Sequence, residues 1–344
     1  MIEKVANNKY NTEPLRLNPP HLILEKLNHF RALFGRIHNL SEQEFVNLTA
    51  EIKKFFNVKP VKLRNDIPER LVRISNNNRI LAGQGKALSY LTDISQLLAP
   101  PIEFCKFGRC NLPEQQVLYC AVDMASAFWE TKPQLGDVIT ISHYRKKEGA
   151  KANCSLIAHD KMENPDPSNH FKEVFYLLEE FFIDVYSLEV DWNRPRDYLF
   201  SSLLSSELLF YPVPSDKNIE AIIYPSVKRK KYGHNFALRN DLVFDKYDLI
   251  GVETRFMLED YKEASPMSSD VPTDSVMASF GTEAFNMEKG KILYDPKVDE
   301  IFDFFREMQM SKGDQVRKSK QNMIFNLTKG NCTVTSHLSK RKKK

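Results

Sequence analysis

Two stretches of the sequence concentrate side chains able to do chemistry. The first runs Phe107-Gly108-Arg109-Cys110-Asn111-Leu112-Pro113, then Val117-Leu118-Tyr119-Cys120-Ala121, then Ala127-Phe128-Trp129-Glu130. The second runs Ile223-Tyr224-Pro225-Ser226-Val227, then His234-Asn235-Phe236-Ala237-Leu238. Upstream, Leu71-Val72-Arg73-Ile74 supplies a further arginine. Guanidinium groups such as Arg73 and Arg109 can grip phosphate oxygens with paired N–H donors. A carboxylate such as Glu130 can stabilise positive charge developing on a sugar ring, as in glycoside hydrolysis. The ring of Tyr119 offers a face for stacking. Ser226 and Asn235 offer hydrogen bonds. Ser226 is read as a polar contact rather than a covalent nucleophile, because nothing marks out an activating base beside it. Taken singly, these residues are ordinary: a core tyrosine, a solvated helix-end glutamate, a surface arginine. Their joint order along the chain is what carries information.

Other polar stretches carry less. Gly83-Gln84-Gly85-Lys86 lacks the glycine and the hydroxyl residue of a phosphate-binding loop, since Ile80 and Ala87 stand at those positions. The dinucleotide pattern would need a third glycine where Leu88 stands, so the stretch reads as a turn. Asn193, Arg194 and Arg196 read as the solvated start of a helix. Five cysteines form no CxxC pair and no Cys/His metal spacing, so reduced thiols and no metal site are expected.

The elements that must position these groups follow from periodicity. Leu22, Ile23, Leu27, Phe30, Leu33 and Phe34 recur at helical spacing from His21 to about Phe34. Ser41 and Glu44 form a capping box for a second helix whose apolar face is Phe45, Leu48, Ile52, Phe55 and Phe56. Strands are expected over 71–75, 115–122, 137–144, 155–159, 219–227, 235–239 and 249–256. Asp123 caps a short helix over 124–131. Longer amphipathic helices are expected over 171–186, 196–210 and 298–308, and residues 260–297 read as loop or insertion. The mixture lacks regular βαβ alternation, so the class is α+β.

At 344 residues, 42% hydrophobic and 11% aromatic, the chain can bury a sizeable core. No apolar run reaches the ~18 residues of a membrane span. The polar start, Met1 to Pro14, lacks the apolar stretch of a signal peptide, so a cytoplasmic protein without membrane contact is expected. Charge is uneven. Residues 311–344 hold ten Lys/Arg against one acid, Asp314, which leaves the rest of the chain net acidic. Such a tail reads as a solvated terminus that can touch nucleic acid weakly.

Together, the Gly-Arg-x-Asn stretch, the Leu-Tyr-x-Ala strand, the helix ending in Glu130, the Tyr-Pro-Ser-Val strand and the Asn-Phe-x-Leu strand resemble the RES domain family. Leu71-Val72-Arg73-Ile74 is similar to that family's opening strand. The resemblance covers roughly Arg73 to Glu253. Cys110 stands where the family usually carries tryptophan, and the glycine that commonly precedes the Leu-Tyr strand is missing.

The resemblance implies an ADP-ribosyltransferase-like fold: a pair of small sheets with flanking helices. Here it would be preceded by an N-terminal helical extension (1–62) and followed, after a catalytic domain (63–310, core 71–256), by a flexible basic tail (311–344). It implies a toxin that consumes NAD⁺ by cleaving the nicotinamide–ribose bond, with water or phosphate as acceptor. A cognate antitoxin partner is implied, and the apolar stripes of the two N-terminal helices read as core or dimer packing, which is compatible with a homo-oligomer. The catalytic set would be Glu130, Arg109, Tyr119 and Ser226, and NAD would be held by Arg73, Arg109, Tyr119, Ser226 and Asn235. Two alternatives stand beside this: transfer of ADP-ribose to a protein or nucleic acid, and an inactive NAD-binding or interaction module.

Overall fold

The computed structural model describes residues 19–56, 62–157, 170–191, 193–211, 218–258, 277–310 and 332–337. In chain order the elements are α1 (Pro20–Arg31), α2 (Glu42–Phe55), β1 (Lys62–Arg64), β2 (Arg70–Asn76), α3 (Asn77–Gly83), β3 (Val117–Ala121) and α4 (Met124–Thr131). Next come β4 (Val138–Lys146), β5 (Cys154–Leu156), α5 (His170–Ser187), α6 (Leu199–Leu209), β6 (Ala221–Ser226), β7 (Lys230–Arg239) and α7 (Val243–Lys246). The last are β8 (Tyr247–Met257), β9 (Met277–Thr282), β10 (Ala284–Asn286), β11 (Lys291–Leu293), α8 (Val298–Met310) and β12 (Cys332–His337). Among the described strand pairs, all are antiparallel except β5 with β6, and the class is α+β. Among the described residues no helix is long and apolar enough to cross a membrane.

The chain divides into two compact units, and it passes between them several times. The first unit takes Met1–Ile67, Pro100–Leu118 and Gly149–Val243. Here α1 and α2 are not a free-standing extension. Phe30 of α1 sits against Phe55 and Phe56 of the α2 end, Phe181 of α5 and Phe200 of α6, with ring centroids 5.4, 6.0, 6.2 and 5.3 Å away. Burying such rings is what holds four sequence-distant helices together. The capping box holds as expected: the Ser41 N–H donates to Glu44 Oε2 (2.8 Å) and the Glu44 N–H to Ser41 Oγ (3.4 Å). The strands of this unit run β1–β5–β6–β7.

The second unit takes Pro68–Ala99, Tyr119–Glu148 and Phe244–Lys344. Its strands run β3–β2–β4–β8–β9–β12, beside a separate β10–β11 ribbon. One sheet face packs on α4: Val72, Ala121, Ile139, Ile141 and Met257 meet Ala127 and Phe128. The other packs on α8: Val138, Phe256 and Phe280 meet Val298, Phe302 and Phe305.

Several expectations change in detail. Residues 277–293, expected as loop or insertion, supply β9, β10 and β11, because Phe280 is carried inward on a strand that pairs with β8. Residues 332–337, expected within the flexible tail, form β12 along β9. The helix expected from Arg196 begins as a 3₁₀ turn over Pro195–Tyr198 and becomes α-helical at Leu199. The strand expected over 155–159 is Cys154–Leu156, and its last two residues lie outside the described residues, as do 259–276 and most of the basic tail. Gly83 closes α3 and Gly85 takes φ +66°, with the Lys86 N–H bonded to Leu81 O (2.9 Å). That is the left-handed helix terminus for which glycine is suited.

Candidate functional site

In the first unit, a tight turn aims Arg109. The Gly108 N–H donates to Asn111 O (3.0 Å), and Asn111 Nδ2 donates to Lys106 O (2.7 Å) and Leu112 O (2.8 Å). The turn directs Arg109 inward until 9% of it remains exposed. Its Nη1 donates to Tyr186 O (2.8 Å) and Val185 O (3.4 Å), and its Nη2 to Leu188 O (2.8 Å). These are orphan carbonyls at the end of α5, where the helix dipole presents its negative pole. The guanidinium also lies over the rings of Tyr198 (5.2 Å) and Tyr224 (6.0 Å). Arg109 is thus occupied as a helix cap and as a pin between α5 and β6. A sequence reading could not see this, because the carbonyls it caps lie 76 to 79 residues away.

Ser226 and Asn235 belong to the β6–β7 hairpin of the same unit. Asn235 pairs with Tyr224, the residue whose ring Arg109 approaches. Ser226 is fully buried beyond a register shift, and its Oγ accepts the Arg229 N–H (3.0 Å). Asn235 and Arg109, two of the six expected residues, therefore both stand beside Tyr224, and Ser226 lies two residues further along β6. Cys110 is no nucleophile in this setting: burial pushes its thiol up to about 12.

Arg73, Tyr119 and Glu130 lie in the second unit. Asp123 starts α4 by accepting from the Ser126 N–H (2.7 Å) and Ser126 Oγ (2.7 Å). α4 then lies on the sheet with Glu130 half-buried near its end. Val72 pairs with Ala121, so Tyr119, two residues before Ala121, points to the α4 face. Tyr119 thus stands on the sheet face that α4 covers, and Glu130 stands near the end of α4. Arg73 does not join them. One residue from Val72, it projects to the opposite face, and its Nη1 donates to the backbone oxygen of Tyr119 (3.0 Å).

The α4 face carries three residues that the sequence reading passed over. Glu253 and Arg255 form a two-point ion pair, Nε to Oε1 at 2.8 Å and Nη2 to Oε2 at 2.7 Å. Arg255 also lies over the Phe128 ring of α4 (5.7 Å). Gly281 pairs with Glu253, and a Cβ there would stand 2.5 Å from Val252 O, so β8 and β9 approach closely beside this carboxylate. His143 shares the face, and burial lowers its pKa against the opposing pull of Glu253. A Glu-x-Arg step on a strand was the available signal, because alternate residues share a face. Among the described residues no cluster of three His, Cys, Asp or Glu side chains is gathered that could hold a metal.

An α+β protein with its polar side chains set on strand hairpins and on a short capped helix is the class defined by this geometry. The family model of the RES domain matches residues 79–256, about half of the chain, and the chain belongs to the RES family. That family is associated with NAD-related toxin–antitoxin systems. The match contains Arg109, Tyr119, Glu130, Ser226 and Asn235 and begins after Arg73. A search of curated proteins returns no match.

Proposed function

We propose that the protein cleaves the nicotinamide–ribose bond of NAD⁺, with water or phosphate as acceptor, and that NAD⁺ depletion is its biological effect. The observation that supports the reading is that Tyr119 stands on the sheet face covered by α4, the helix that carries Glu130 near its end, within a chain of the RES family. As the C–N bond breaks, its electron pair leaves with nicotinamide and the ribose gains oxocarbenium character. The Glu130 carboxylate stabilises that charge and holds a ribose hydroxyl. Tyr119 stacks on the nicotinamide ring. Arg109 holds the end of α5 in the first unit. A cognate antitoxin restrains the activity in the cell.

The test is incubation of the full chain with NAD⁺ and chromatographic identification of the products, for wild type and Glu130→Ala. Free ADP-ribose or its phosphate supports degradation, whereas labelled protein or nucleic acid supports ADP-ribose transfer. Glu130→Ala folds, by circular dichroism, and loses about 10²–10³ in kcat. Equal turnover by the variant removes Glu130 from the mechanism. No nicotinamide release with any acceptor overturns the enzyme reading.

A further inference from the structure

The last turn of α4 is held from two sides, and the two holds meet at Phe128. From the sheet, Arg255 of β8 lies over the Phe128 ring, its guanidinium carbon 5.7 Å from the ring centroid. Glu253, two residues earlier on the same strand and so on the same face, fixes Arg255 at two points, Nε to Oε1 at 2.8 Å and Nη2 to Oε2 at 2.7 Å. The two side chains are 17% and 27% exposed, so water screens the pair only in part. From the helix's own end, the Lys132 N–H donates to Phe128 O (2.8 Å) while Lys132 takes φ +41°. A residue with a Cβ is strained in that left-handed region, which favours glycine. The Phe128 ring is fully buried, and Glu130 follows it by two residues.

Apolar contact alone does not fix so short a helix. α4 has eight residues, about two turns, and it packs on the sheet through Ala127 and Phe128. Apolar burial depends on area and not on direction, so a small roll of the helix costs little. A roll of about 10° carries a side-chain tip about 6 Å from the helix axis by roughly 1 Å. A misplacement of that size at a reacting group costs about 10²-fold in rate. A guanidinium over a ring face is directional, and Glu253 anchors this one to β8. Lys132 Nζ also lies over a ring, that of Trp129 (5.8 Å), but both belong to the helix end and move with it. The strand under the anchor is closely backed, since Gly281 of β9 pairs with Glu253 and a Cβ there would stand 2.5 Å from Val252 O.

We infer that Arg255, anchored by Glu253, is a positioning residue: through the Phe128 ring it sets the roll of α4 and thereby the place of the Glu130 carboxylate. What Glu130 does there rests on the NAD⁺ reading above. How α4 is held rests on its own contacts.

The experiment compares the full chain with Arg255→Met, Arg255→Lys, Phe128→Leu and the double variant Phe128→Leu/Arg255→Met. Initial rates of nicotinamide release and hydrogen exchange of the α4 amides are both measured. In Arg255→Met, kcat falls about 10- to 100-fold while KM stays within about twofold of wild type. Arg255→Lys keeps a cation able to reach both the ring and Glu253, and it recovers about half of the loss on a logarithmic scale. Adding Phe128→Leu to Arg255→Met lowers kcat by less than about twofold more, because both changes break one contact. The α4 amides exchange at least about fivefold faster in Arg255→Met than in wild type. If Arg255→Met does not fold by circular dichroism, Glu253→Gln loosens the anchor at nearly constant shape, and the same split between kcat and KM is expected of it. A kcat within about twofold of wild type overturns the proposal. A loss carried by KM makes Arg255 a binding residue and overturns it too, as does full additivity of the two substitutions. Exchange is read whether or not NAD⁺ turns over, so unchanged exchange in Arg255→Met overturns this proposal alone. Wild type that releases no nicotinamide, with α4 exchange still responding to Arg255→Met, overturns the NAD⁺ reading and supports the hold on α4.

Discussion

Replacing Arg109 with methionine keeps an unbranched apolar stem and removes the guanidinium donors. Three carbonyls at the end of α5 then lose their partner: Tyr186 O and Leu188 O, each at 2.8 Å, and Val185 O at 3.4 Å. Hydrogen bonds to charged groups contribute about 1.5–3 kcal/mol each, and two of these are short. The cation also complements the helix terminus and lies over two tyrosine rings. Against this stands the cost of desolvating a guanidinium, which methionine does not incur. The balance is a loss of roughly 3–5 kcal/mol. With a urea slope of about 3 kcal/mol/M, the midpoint falls by about 1–2 M. Arg109→Lys keeps the charge but not the fork, so it reaches one carbonyl and loses about half as much. Urea denaturation followed by circular dichroism is the assay. A methionine variant within about 0.5 kcal/mol of wild type that nonetheless fails to bind NAD⁺ would refute the cap and assign the guanidinium to the ligand.

Three further outcomes are expected. Tyr119→Phe keeps the ring and leaves KM for NAD⁺ nearly unchanged, while Tyr119→Ala raises it about 3- to 10-fold, measured by initial rates of nicotinamide release. His143 is held below its ordinary pKa of 6.5 by burial, so the unfolded chain binds its proton more readily. Its contribution is therefore complete above about pH 6.5 and is lost as pH falls through the lowered folded value. His143→Gln flattens the acid side of the stability profile, and an unchanged slope between pH 7 and 5 contradicts the assignment. Burial pushes the thiols of Cys110 and Cys120 up to about 12. At pH 8 iodoacetamide should therefore leave both unlabelled in the native protein and label both in urea, as mass spectrometry of digests would report.

Much of the local structure is written in short sequence signals. Ser41 and Glu44 make the capping box of α2, Asp123 starts α4, and the Val-Leu-Tyr-Cys-Ala run becomes β3. Each depends on residues within one turn or one strand of each other, so intrinsic geometry suffices. The ordered segments around Arg109, Tyr119, Glu130, Ser226 and Asn235 likewise sufficed to mark the RES family.

Other features required the chain to find distant partners. The role of Arg109 was decided by where α5 ends. The separation of Arg73 from Tyr119 was decided by one register, Val72 opposite Ala121, since a shift of a single residue exchanges the two faces of a strand. Sequence spacing alone leaves that register open. The ion pair of Glu253 with Arg255 was within reach of a strand pattern, yet its setting beside Phe128 and Gly281 came only from packing α4 and β9 against β8. Local periodicity and capping are properties of neighbouring residues, and the sequence carries them directly. Which face a side chain occupies, and which distant carbonyl takes its proton, depends on pairing between segments far apart in the chain, and only the folded structure specifies that.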